Sequence, residues 1–87
     1  METRVALIGI IVENSESTAQ LNALLHDAGQ YIIGRMGLPY RVRGVNIISV
    51  VLDAPQDVIS ALAGRIGRLP GVSAKTAYSK PFPPAGD

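Results

Sequence analysis

With 87 residues, eight basic and seven acidic side chains, a formal net charge of +1 and no cysteine, the chain is bounded before any motif is considered. It is long enough for one domain that buries roughly 60 to 65% of its unfolded surface, a modest core that partner chains would extend. The charge balance excludes an electrostatic case for a nucleic-acid or membrane surface, and the lack of cysteine excludes a disulfide scaffold or thiolate metal centre and points to a reduced, cytoplasmic setting. The apolar run at residues 5–12 falls far short of the roughly 20 residues that span a bilayer, and it lacks the basic start and small-residue cleavage site of a secretory signal.

In chain order, residues 4–12 (Arg-Val-Ala-Leu-Ile-Gly-Ile-Ile-Val) read as a nearly all-apolar strand and therefore a central one. The polar turn at residues 13–17 leads into a helix that runs to about Ala28. Ser17 with Gln20 fits a capping box, Glu16 complements the helix dipole, and Gly29 is expected to supply a left-handed stop. Leu21, Leu24, Leu25 and Ala28 make its apolar stripe at the spacing of one helical face. Residues 31–40 are extended but carry two glycines, a proline and Arg35, which are edge-strand features, and residues 41–44 turn the chain back. Residues 45–52 form the second central strand, with Val45, Ile47 and Val51 on one face and Ile48, Val50 and Leu52 on the other. Asp53 as an acidic cap and Pro55 in the first turn start a second helix, whose stripe is Val58, Ile59, Leu62, Ala63 and Ile66. Leu69-Pro70-Gly71 ends it, and residues 72–78 alternate, with Val72, Ala74, Thr76 and Tyr78 on one face. Residues 81–87, with three prolines, are expected to be a disordered tail to a single domain of residues 1–80.

The order β-α-β-β-α-β is that of an α+β, ferredoxin-like sandwich. Right-handed crossovers give an antiparallel sheet of order 4-1-3-2 with two helices on one face. The other face is bare and apolar, so the chain is expected to be a homo-oligomer, a dimer or a tetramer.

Because this fold hosts many functions, each use is tested against the residues it needs. An RNA-recognition sheet needs aromatic residues on the first and third strands, and there are none at residues 5–12 or 45–52. Metal-carrying versions need cysteines. Small phosphatases of this fold need a glycine-bearing, anion-cradling loop after the first strand, where this chain has Glu13-Asn14-Ser15. No nucleophile–base or carboxylate pair stands out, so no catalytic residue, cofactor or metal ligand is expected, and the chain is read as not an enzyme. A sheet-pairing regulatory module of the ACT type remains.

The stretch Tyr31-Ile-Ile-Gly-Arg-Met-Gly-Leu-Pro-Tyr40, with Gly44 and Ile47-Ile-Ser-Val-Val-Leu-Asp-Ala-Pro55, resembles a small bacterial family of iron-only hydrogenase system regulators, as do residues 4–12 and Leu69-Pro-Gly-Val72. The resemblance implies an ACT-like fold, related to the ligand-sensing domain of the nickel-responsive repressor, and an oligomer. The chain departs from amino-acid-binding ACT domains in lacking a glycine in the loop after the first strand, and from that repressor in having His26 as its one candidate metal ligand.

A ligand, if small and anionic, is expected at Asn14 and Ser15 with Arg35, Arg41 and Arg43: the arginines supply charge and the helix start supplies N–H donors. Plainer roles stand beside this one, since Asn14 and Ser15 cap helices and arginines solvate hairpins. His26, in the last turn of a helix, suits the helix dipole. Gly9 and Ser49 are small residues at equal depth on the two central strands. The expected partners are copies of the chain, a small anionic effector and a regulated protein, with no direct nucleic-acid or membrane contact. The alternatives are an interaction protein without a ligand and an enzyme sited at a subunit interface.

Overall fold

In the computed structural model, which describes residues 2–80, the chain runs β1 (Arg4–Val12), α1 (Thr18–Asp27), β2 (Ile32–Tyr40), β3 (Val45–Ala54), α2 (Gln56–Gly67) and β4 (Val72–Tyr78). The four strands form one antiparallel sheet of order β2-β3-β1-β4, the expected arrangement, and both helices cover the same face. This is the ferredoxin-like, ACT-like fold. The segment 81–87, expected to be a tail, lies outside the described residues.

Period-two alternation on the central strands decides which residues meet the helices. Ala6, Ile8, Ile10 and Val12 of β1, with Ile48, Val50, Leu52 and Ala54 of β3, are buried beneath Leu21 and Leu25 of α1 and Ile59, Leu62 and Ile66 of α2. Burial of each large aliphatic side chain contributes about 1.5–3 kcal/mol, which makes this layer the main source of stability. The odd-numbered residues of the same strands, Leu7, Ile11 and Ile47 among them, point away from the helices.

β2 is an edge strand with a bulge between Ile32 and Gly34, and eight of its nine residues are exposed. At the far end of the sheet Arg4 clasps the last strand. Its Nη1 donates to Gln56 Oε1 at 2.7 Å, its Nη2 donates to the Ser79 carbonyl, and its guanidinium lies 4.8 Å from the centre of the Tyr78 ring.

Three expected helix ends differ. Ser17 makes no capping bond: it is buried, and its Oγ donates instead to the Pro70 carbonyl at 2.6 Å. Asn14 takes the capping role one turn earlier, its Oδ1 accepting from the Glu16 N–H at 3.0 Å over a 3-10 turn, Ser15–Ser17. Gly29 is not left-handed, because the chain leaves α1 through a second 3-10 turn, Gly29–Tyr31. Asp53 is not the cap of α2, since β3 runs on to pair Asp53 with Val5 and Ala54 with Arg4. Pro55 holds the cap position, where its carbonyl accepts from the N–H groups of Val58 and Ile59.

Among the described residues the left-handed backbone occurs at Gly44 (φ 66°) and Gly71 (φ 69°). Gly44 has open space around it, whereas a Cβ on Gly71 would lie 2.6 Å from the Asn14 Cβ. Gly44→Ala is therefore expected to cost about 1 kcal/mol, the conformational penalty alone. Gly71→Ala is expected to cost about 3 kcal/mol or more, because strain and overlap with Asn14 add. Urea denaturation of the two variants checks this; equal losses would mean that the contact with Asn14 carries no energy.

Candidate functional site

Among the described residues, two surface features bear most directly on function once the core is assigned. The first is the helix-free face of the sheet. Register places Leu7 opposite Val51, Ile11 opposite Ile47, Ile47 opposite Leu38, and Val45 opposite Tyr40, so the outward side chains of β1, β3 and β2 form one continuous apolar surface. Met36 and Leu38 are 68% and 58% exposed. In the middle Gly9 stands between Ser49 and Lys75 and leaves a shallow depression of about 290 Å³, rimmed by Ile11, Ile47 and Ser73.

The second feature is a cleft on the opposite side, between α1 and the edge strand β2. Its volume is about 300 Å³, the lower end of the range for small-molecule sites. Val12 and Ile48 form an apolar floor, and Thr18, Asn22, Arg35 and Asn46 bring polar groups to it. Each is positioned by simple periodicity. Thr18 and Asn22 are four apart on α1 and share a face. Arg35 lies opposite Val50 and Asn46 opposite Val12, so both sit on the helix-covered side of the sheet. Arg35 Nη2 donates to Asn22 Oδ1 at 3.4 Å, longer than the roughly 2.7–2.9 Å of a strong charge-assisted bond.

Of the residues expected at a ligand site, Arg35 lines this cleft. Asn14 is engaged as a cap and packs against Gly71. Ser15 is exposed in the 3-10 turn, its carbonyl accepting from the Thr18 N–H. Arg41 and Arg43 are exposed in the hairpin turn, which closes through Arg43 N–H to Tyr40 O at 3.3 Å and Gly44 N–H to Arg41 O at 3.2 Å. Thr18, Asn22 and Asn46 also line the cleft, outside the expected set of site residues. Asn46 carried a usable signal, as a lone amide on the core-facing side of an otherwise aliphatic strand; Thr18 and Asn22 look like ordinary surface residues until β2 is laid beside them. His26 is exposed on α1, and among the described residues no three histidine or acidic side chains group as metal ligands would.

Residues 4–76 match the family "TM1266-like: Iron-only hydrogenase system regulator, putative". The chain belongs to the TM1266-like family. Among solved structures, the uncharacterized protein TM1266 from Thermotoga maritima is 36% identical and superposes with a TM-score of 0.87, the match covering 91% of this chain and all of that one. A formyltetrahydrofolate deformylase from Pseudomonas putida KT2440 is similar at 16% identity and a TM-score of 0.61, over 84% of this chain and 28% of the deformylase. At that identity the second likeness concerns the fold alone. No curated protein matches.

Both ends of the 3.4 Å contact are exposed in this TM1266-like chain, so Arg35→Ala is expected to change stability by less than about 0.5 kcal/mol. Thermal and urea unfolding check this. A larger loss would make Arg35 a structural residue rather than one free for a ligand.

Proposed function

We propose that the chain is a regulatory ACT-like module that self-associates through the helix-free face of its sheet and answers a small effector held at the α1–β2 edge, acting on another protein through that assembly. The observation that carries this reading is the continuous apolar surface formed by Leu7, Ile11, Ile47, Met36, Leu38 and Tyr40. Soluble monomers rarely leave such a patch in water, and a second copy of the same face is a partner always present at matching concentration. An interface of roughly 1,200–2,000 Å² would cover it.

A regulatory role, not a catalytic one, is supported by the family to which the chain belongs. Arg35 anchors the effector in this reading. Arg41 and Arg43, on the neighbouring turn, add positive charge at the edge of the sheet, and Asn14 and Ser15 belong to the polar 3-10 turn that precedes α1. An effector there would bias assembly only by binding the associated and separate forms unequally.

Light scattering at micromolar concentration is expected to give a dimer or tetramer; a stable folded monomer would sink the proposal. Ile47→Lys is expected to dissociate or unfold the protein, since an unpaired ammonium would be enclosed at the centre of the interface. Leu38→Lys, at a position well exposed in the single chain, separates the two outcomes: it is expected to give a folded monomer by circular dichroism and scattering. Thermal shift against amino acids, nucleotides and metal ions distinguishes an effector-binding module from an interaction protein without a ligand.

A further inference from the structure

We infer that the cleft between α1 and β2 takes a small monocarboxylate with a compact aliphatic body, the carboxylate on Arg35 and the aliphatic part on Val12 and Ile48. The inference rests on the effector-binding half of the reading above and not on its self-association half. Arg35 is the single charged residue of the lining, and no acidic side chain opposes it, so the cleft suits one negative charge rather than the several of a polyphosphate or the positive charge of a metal ion.

The guanidinium is available. Its one side-chain bond, to Asn22 Oδ1, is long and exposed, which leaves the planar fork free to meet two carboxylate oxygens side by side. Beneath it the floor is aliphatic: Val12, the last residue of β1, and Ile48 of β3 are core residues at the bottom of the cleft, and Pro39 lies on its β2 side. No aromatic residue lines it, so a planar base or ring has nothing to stack on. Thr18, Asn22 and Asn46 surround this floor with a hydroxyl and two amides, enough to orient a small ligand without supplying a second charge. Gly37, opposite Ile48 with open space where a Cβ would stand, keeps the mouth clear beside Arg35.

The test is a titration of the isotope-labelled full chain, followed by amide shifts in two-dimensional NMR, with isovalerate as probe, isovaleramide as its uncharged isostere and inorganic phosphate as a competing anion. Isovalerate is expected to give saturable shifts at Asn22, Arg35, Gly37 and Asn46 and to raise the melting temperature. Isovaleramide, and isovalerate on Arg35→Gln, are expected to bind roughly tenfold or more weakly, the loss of a charge-assisted hydrogen bond. Arg65→Gln, a charge removal on α2 away from the cleft, is expected to bind as the native chain does. Equal binding of acid and amide, full binding by a folded Arg35→Gln variant, preference for phosphate, or no saturable shift each overturns the inference. If isovalerate fails while light scattering still reports an oligomer, the cleft assignment falls and the self-association proposal stands.

Discussion

The antiparallel pairing of β1 with β3 is the constraint on which everything else depends. Each strand is aliphatic on both faces, so aligning Arg4 with Ala54 through to Val12 with Asn46 creates a sheet centre with two apolar surfaces at once. Two helices can cover one of them. They reach it as the chain crosses over the sheet, and right-handed crossovers put both on the same side. The second surface is thus left by the alternate residues of the strands that build the core: Leu7, Ile11 and Ile47 point one way while Ile8, Ile10 and Ile48 point the other.

That asymmetry explains how the chain could be read. Element order and sheet order were legible because the difference between all-apolar and glycine-, proline- and charge-bearing strands is large. The faces of residues 45–52 followed from alternation alone. Helix ends were less legible. Ser17, Gly29 and Asp53 each have the right chemistry for an end, but Pro70 competes for the Ser17 hydroxyl, a 3-10 turn takes over at Gly29, and strand pairing holds Asp53. In each case a partner remote in sequence, or a neighbouring turn, outcompeted a local preference.

The polar site was half legible for a related reason. Arg35 announced itself as a charge in an apolar edge strand, but its neighbours in space come from three other elements. Asn46 meets the cleft because the ladder aligns it with Val12 and Pro39, and Asn22 because α1 leaves β2 uncovered. Sequence periodicity assigns residues to a face; it does not say where one layer stops short of another. Membership of the TM1266-like family fixes the ancestry and fold, while the chemistry of the cleft has to be read from these side chains.

The corner where Gly71 meets Asn14 bears on the order in which the molecule assembles. The Ser17 hydroxyl reaches Pro70 across 53 residues, the Glu13 N–H reaches the Gly71 carbonyl at 2.7 Å, and Gly71 leaves no room for a side chain against Asn14. The entrance to α1 is therefore finished by the segment that introduces β4, and not by its own neighbours. Contacts of such long span are made only after the entropy of closing a large loop has been spent, which slows folding relative to a helical protein of the same size. During synthesis, the first helix can form as a local structure but cannot take its final seat until the turn before the last strand has emerged.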